Sequence, residues 1–478
     1  MSGIDRDSMM ATISDLVAMA PRASGTPGGD AAAEYVANRM RQAGLDEVWI
    51  EETPTFAWSV TDHSLTIDGT AITCRAINHC AVADGEQTGD LGTGPEGITA
   101  QIVDIGAGKV TDFDVRGKIV LFDLAFTMTA ASLLPLSWYI HDPDRGLLRR
   151  DVLKSVNPYV TSLTTVMTAA SQAGAVGVIG VLRDYPESVN YHNEYYRRTP
   201  LALPGVWITK DTGQRLRASG ASQAHLTVHV RRREVAAKTV CGLLRGAKRP
   251  KDAIMIQSHH DSVGPGAVED GTGVAEVIAL AEHYGRLAAT GVRRDSSLLF
   301  TTFDSHFTGY HAHQAFARTY LLADNPPLNI RLNLTIEHVG LRAVKGADGG
   351  FESTGTTEPR AIFENLSPRM KLALVRTIRR HRLHTTAVVN AAVLEYGRMG
   401  IPTDASFVLT SGVPTASLVS GPMYLYDDAD TEEWVDVDQL EPVARAFIEL
   451  TDTADRLPPT RLGLLPQRVR ERLPRGRW

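Results

Sequence analysis

The chain reads as an α/β protein, a mostly parallel sheet sandwiched by helices, with a β-rich domain inserted into it. Three observations carry this reading. From about residue 238, apolar strand-like runs alternate with amphipathic helical runs, which is the βαβ signature of a parallel sheet covered on both faces. Between about 75 and 234 the character changes to short β runs broken by Gly and Asp. The 478 residues also exceed what one simple core holds, so two units are expected, one interrupting the other.

In order along the chain, 8–20 and 29–44 read as helices. In the second, Ala33, Val36, Met40 and Ala43 recur at helical spacing and Gly44 supplies the stop. The turn between them holds Pro21, Pro27 and three glycines. Strands are expected at Glu47–Glu52 and His63–Ile67, then at Ile98–Ile105, Lys118–Phe122 and Val176–Val181. A helix at 164–175 precedes the last of these. Thr127–Val160 reads as a long insertion and Tyr185–Tyr196 as an aromatic-rich loop. The alternating half follows: strands at 239–244 and 253–257, helix 273–289, strand 297–303, helix 309–322, strand 329–336 and helix 367–383. It ends with a strand at 386–389, a short helix near 405–410, strand 415–419 and a helix from 436 to 455. His259, Phe303–His306 and Glu337–His338 all fall just past strand ends, where ligands bind in such sheets.

Hydrophobic content of 43% and charged content of 22% place the chain among ordinary soluble globular proteins. A net charge of -6 predicts no nucleic-acid partner. The basic, proline-rich tail 461–478 reads as a solvated or subunit-docking extension. No apolar stretch is long enough for a bilayer span and no signal-like segment opens the chain, so a cytoplasmic location without membrane partner is expected. Cys74, Cys80 and Cys241 make no disulfide scaffold. Cys74, His79 and Cys80 lack a second ligand pair and read as packing residues rather than a metal clip.

The stretch Ser258-His259-His260-Asp261-Ser262, followed by Gly266-Ala267-Val268-Glu269-Asp270-Gly271-Thr272-Gly273, carries the chemistry. A hydrolytic metal needs His and carboxylate ligands, and a ligating imidazole wants a second carboxylate to fix its tautomer. His259 with Asp261 two residues on could supply both from one strand end, although His-x-Asp alone is a weak signal.

Taken with their order, these pieces resemble the co-catalytic zinc aminopeptidase family, whose relatives include glutamate carboxypeptidase and the transferrin receptor. Pro21-Arg22-Ala23-Ser24-Gly25-Thr26 is similar to that family's "PR-x-SGT" turn. Residues 97–183, with Gly117-Lys118-Ile119-Val120, resemble its inserted protease-associated domain. SHHDS, GAVEDGTGVA, LLFTTFDS, LTIEHVG and GVPTASL follow its core in sequence. The resemblance implies a metallopeptidase-like domain from 1–74 and 235–457, an inserted protease-associated-like domain at 75–234 and a tail at 458–478.

It also implies a set of site residues. His259 takes the first ligand position, with Asp261 as its orienting carboxylate. The bridging carboxylate falls on Glu269, with Asp270 adjacent, and the later strand-end ligand falls on Glu337, with His338 beside it. The family's Glu-Glu pair is replaced by His306 and Phe307, and its last His by Tyr426. Phenylalanine cannot ligate and neutral tyrosine ligates poorly, so the second metal position is expected to be lost. The expected centre holds one divalent ion on His259, Glu269 and Glu337, zinc first, with manganese or iron as alternatives. His306 is expected as general base or fourth ligand, and Tyr426 as a donor to a developing oxyanion. Asp270, His260 and His338 stay open as replacements for a ligand, while His311, His313 and His283 read as surface, packing or capping residues. The expected function is metal-dependent hydrolysis of an amide or peptide-like bond in a small or specialised substrate, by a protein that the resemblance makes a homodimer. The rival readings are an inactive scaffold of the same fold and an aminopeptidase with a rebuilt site, with intramolecular aminolysis as a minor variant.

Overall fold

The computed structural model describes residues 4–83, 87–193, 201–396 and 400–465. Tyr195, Tyr196 and most of the basic tail lie outside the described residues.

Helices Arg6–Ala18 and Pro27–Gln42 open the fold. The second starts where Thr26 accepts the Gly29 N–H at 3.1 Å and Pro27 occupies the first turn, a position that needs no N–H. The two strands expected within 47–67 are one strand of 21 residues, Glu47–Ile67. It runs antiparallel to Gln223–Leu244, 22 residues long, in a register broken by a single irregularity at Val60/Asp62. The boundary expected at 234/235 therefore falls inside a strand.

One end of this strand pair belongs to each half of the molecule. Gln223–Leu226 pairs with Ile98–Gln101, which leads into a parallel set ordered Ile98–Gly106, Ile119–Asp123, Gly177–Leu182 and Gly205–Thr209. Val240–Leu244 pairs antiparallel with Ser296–Phe303. From there four strands run parallel in the order Ser296–Phe303, Arg249–His259, Asn329–Ile336 and Thr415–Ser420. Arg360–Glu364 follows antiparallel, then Thr386–Asn390. The far edge is Ser137–His141, which comes from the expected insertion 127–160 and pairs with Thr386–Val389. That segment is thus part of the larger half's sheet.

The four central strands are buried almost throughout, which suits their continuous apolar runs. Helices Thr272–Ala289 and Val437–Asp455 pack together with Arg6–Ala18. Helix 309–322 of the sequence reading is shorter, His311–Phe316, followed by one wide turn at Ala317–Leu321. Gly273 lets the start of helix Thr272–Ala289 sit against the sheet. A Cβ there would collide with Ser258 Oγ, Asp270 Oδ2 and the Ile336 carbonyl. No helix among the described residues is long and apolar enough to cross a membrane.

Candidate metal centre

Three neighbouring parallel strands end together, and the residues just past their ends form the site. Arg249–His259 delivers His259, Ser296–Phe303 leads into His306, and Asn329–Ile336 leads into Glu337 and His338. The fourth contribution is the loop Gly266–Gly271, which carries Glu269 and Asp270. Arg22, from the turn between the first two helices, braces that loop. Its buried guanidinium donates to the carbonyls of His260 (2.9 Å), Leu16 (3.0 Å), Pro265 (2.8 Å) and Gly266 (2.9 Å). Asp430 holds the loop from the other side, accepting the N–H groups of Val268 at 3.0 Å and Glu269 at 2.9 Å.

Glu269 is the hub. Its Oε1 lies 3.2 Å from His259 Nε2 and 3.7 Å from His306 Nε2, and its Oε2 lies 2.6 Å from His338 Nε2. Each imidazole is fixed from behind through Nδ1. His259 Nδ1 is 3.1 Å from the Asp261 carbonyl and 3.3 Å from Asp261 Oδ1. His306 Nδ1 meets Asp404 Oδ1 at 2.8 Å, and His338 Nδ1 meets the Ser420 carbonyl at 2.8 Å. The rings of His259 and His306 stack with centroids 4.1 Å apart. Asp404 also contacts His313 Nε2 at 2.9 Å, so His313 is a buried member of the network and not a surface residue. His311 instead meets Thr55 Oγ1 at 2.9 Å.

Two groups of side chains bring ligand-type atoms within 4.8 Å of one another: His259, Glu269 and His306, and His259, Asp270 and His338. Glu337 is in neither, and its Oε1 accepts the Asp404 N–H at 3.1 Å. Asp270 is also committed. Its Oδ2 accepts from Ser258 Oγ at 2.5 Å, and its Oδ1 accepts the N–H groups of Gly273 and His338 at 3.1 Å each. His260 turns away to Thr302 Oγ1 at 3.0 Å. Tyr426 is buried with its ring edge-on to Phe307 and Tyr159, at 5.5 and 6.0 Å between centroids. The cysteines are free thiols, and Cys74, His79 and Cys80 form no ligand group among the described residues.

The electrostatics suit a cation. Burial opposes charge on all three histidines, yet the surrounding acids prevail. His306 is pushed up to about 9, mainly by Asp404, and His338 to about 10 by Glu269 and Asp270. His259 is raised well above its ordinary value by Asp404, Asp261 and Glu269. Glu269 is held below the usual carboxylate range, since His338 and His259 outweigh its burial. Burial and the nearby Asp404 push Glu337 up instead. The acids of the pocket thus favour positive charge among the imidazoles. His259 Nε2, His338 Nε2 and both Glu269 oxygens are buried without a hydrogen bond of proper alignment. Buried polar atoms left in that condition, of types N, N and O, fit a divalent ion such as zinc.

Sequence reasoning missed three members of this arrangement. Arg22 was visible only as part of a turn, and His313 only as one of two histidines on a helix. Tyr159 stands in the insertion 127–160, where no local pattern marks it.

Comparison with known proteins bears on the fold that carries these residues. Residues 239–451 match the model of "Peptidase family M28". A "Probable lipoprotein aminopeptidase LpqL" of Mycobacterium tuberculosis is 29% identical over 301 residues, covering 59% of this chain and 50% of that protein. The chain thus spans only half the length of that relative. Bovine "Carboxypeptidase Q" is 23% identical over 437 residues, 85% of this chain and 75% of its own. Among solved structures, a zinc aminopeptidase from Bacillus subtilis superposes with a TM-score of 0.65 at 16% identity, covering 98% of this chain and all of that one. The aminopeptidase from Aneurinibacillus sp. strain AM-1 gives 0.62 at 19% identity, covering 97% and 96%. Both likenesses establish the fold: helices on a mostly parallel sheet. Through residues 239–451, this chain is similar to peptidase family M28.

Proposed function

We propose that this protein is a metal-dependent hydrolase of peptide bonds that works with a single divalent ion, zinc first. The observation that carries the reading is the convergence on Glu269 of buried donor atoms that lack aligned hydrogen bonds, at the ends of three parallel strands. A bound divalent ion supplies Lewis acidity, polarising the scissile carbonyl and making water a stronger acid.

His259 supports a single ion. Both candidate ligand groups contain it, and its Nδ1 is engaged by Asp261, which leaves Nε2 as the one free ligand atom. One imidazole nitrogen binds one ion, so the two groups are alternative descriptions of one position. Phe307, at an expected second-metal position, offers no ligand atom.

His306 is the group that moves protons. Its Nε2 faces Glu269 at 3.7 Å and the Tyr310 hydroxyl at 3.4 Å, while Asp404 holds Nδ1 and fixes the ring. Asp261 orients His259 and, through Oδ2, accepts the Phe307 N–H at 3.3 Å, tying two strand ends together. Tyr426 is retained as a donor for negative charge developing on the substrate carbonyl. Side chains at the centre are no more than 4% exposed, which favours a small or specialised peptide over a folded protein substrate.

The test is a panel of short peptides and aminoacyl amides, assayed beside elemental analysis of the purified protein. Hydrolysis that stops with a chelator and returns with zinc is expected, at about one ion per chain. A folded protein that holds no metal and cleaves nothing on the panel would leave the scaffold reading in its place.

A further inference from the structure

The metal ligand expected from the strand after Asn329 was Glu337. We infer that the neighbouring residue, His338, is the ligand instead, joining His259, with which it shares one group of convergent ligand-type atoms, and Glu269, whose two oxygens face the two rings, and that Tyr159 is the positioning residue for His338. This rests on the single-ion reading above.

The backbone makes the exchange. His338 has φ 59°, in the left-handed region where non-glycine residues are uncommon and held only by their surroundings. Two hydrogen bonds hold it there: its N–H donates to Asp270 Oδ1 at 3.1 Å, and its carbonyl accepts from Ser420 Oγ at 2.6 Å. Past the strand end, the turn at 338 accompanies a division of labour. Glu337 meets the Asp404 N–H, and His338 meets Glu269.

The side chain has the features of a ligating histidine. Its Nδ1 lies 2.8 Å from the Ser420 carbonyl and 2.9 Å from the Tyr159 hydroxyl, and Tyr159 itself donates to the same carbonyl. A carbonyl cannot donate, so the proton of that contact sits on Nδ1, and Nε2 is the nitrogen that an ion can take in exchange for a proton. Ligating histidines are commonly fixed in this way, by donating the other ring nitrogen's proton to a carbonyl or carboxylate. The Tyr159 ring also stacks on His338, with centroids 6.1 Å apart and 28° between planes. His338 Nε2 is buried and faces Glu269 Oε2 at 2.6 Å without an aligned hydrogen bond.

The other candidates lack this combination. Asp270 spends both oxygens on Ser258, Gly273 and His338. His306 Nε2 has the Tyr310 hydroxyl as partner, which suits proton transfer and not ligation. Tyr159 lies in the segment 127–160, so this part of the chain builds the metal centre as well as the sheet edge.

The experiment uses the full chain and three variants, His338→Gln, Glu337→Gln and Tyr159→Phe. Zinc and cobalt content after dialysis are measured by elemental analysis, affinity by competition with a chromogenic chelator, and Co²⁺ coordination by visible absorption. Glu337→Gln is expected to keep one ion per chain with affinity within about threefold. Tyr159→Phe is expected to weaken binding by about tenfold, as loss of an orienting partner does. His338→Gln is expected to lose more than that, roughly a hundredfold or beyond, and to change the Co²⁺ spectrum. Normal affinity in His338→Gln, or loss of the ion in Glu337→Gln, overturns the assignment while leaving a metal-dependent hydrolase in place. Failure of the unaltered chain to take up an ion overturns both readings. If His338→Gln does not fold by circular dichroism, the Glu337→Gln and Tyr159→Phe arms decide.

Discussion

Replacing Arg22 by Met separates two opposing effects at the base of the site. The guanidinium is fully buried and serves only backbone carbonyls. Burial lowers its pKa from 12.5 to about 10, in spite of Asp430 and Asp261. At about 1.4 kcal/mol per pH unit, keeping this cation charged costs roughly 3 kcal/mol, which a neutral side chain would recover. Against that, four carbonyls contacted at 3.0 Å or less lose this donor, although Leu16 and Gly266 keep the N–H groups of Met19 and Gly271. Stranding the His260 and Pro265 carbonyls costs about 2 kcal/mol each, and losing one of two bonds at Leu16 and Gly266 costs about 1 kcal/mol each, about 6 kcal/mol in all. The carbonyls prevail, and Arg22→Met is expected to lose roughly 3 kcal/mol. An unfolding entropy of roughly 1 kcal/mol per kelvin for this chain length turns that into a fall in Tm of about 3 °C. Differential scanning calorimetry in chelator measures it without a contribution from bound metal. An unchanged or raised Tm would show that the burial cost dominates and that the Glu269 loop is held by something other than Arg22.

Asp404→Asn keeps the shape but removes the charge that fixes His306, and it is expected to lower kcat by roughly a hundredfold with metal content unchanged. Loss of the ion in that variant would instead make Asp404 part of the metal's support. Glu358→Gln tests a buried acid whose pKa burial lifts from 4.5 to about 8, with Arg342 pulling the other way. Between those values the folded state keeps the proton and the unfolded chain releases it, so stability falls as pH rises through that window. The variant is expected to melt higher than the parent at pH 8 and to gain little at pH 5, the difference amounting to at most about 5 kcal/mol. Equal gains at the two pH values would refute the assignment of the effect to ionisation.

What could be read from the sequence divides along physical lines. The central strands were legible because they are buried on both faces and carry apolar runs, such as Ala253–Ile256 and Leu298–Phe303. His259 and Asp261 were legible because they follow such a run directly. The strand Glu47–Ile67 was read in two pieces because its middle, Trp58–Thr61, is half-exposed or exposed and lacks alternation. What keeps it extended is pairing with residues more than 150 positions away, which a local pattern cannot report. Ser137–His141 escaped for the same reason, its partner being Thr386–Val389. Glu337 was the expected ligand, with His338 left as a replacement, because no local pattern reports the positive φ of residue 338. Tyr159 reaches His338 across 179 residues and had no local signal at all.

The paired strands Glu47–Ile67 and Gln223–Leu244 make the interrupting region impossible to lift out as a cassette. Each strand extends about 70 Å, and Val240–Leu244 shields the edge of Ser296–Phe303. A deletion of 75–234 would remove the first half of Gln223–Leu244 and leave Glu47–Ile67 with an unpaired end of mixed polarity. Exposed strand edges of that length invite pairing between molecules. Engineering that aims to shorten this protein therefore has to cut beyond the ladder, near the Ile98 end, and to re-cover whatever edge it opens.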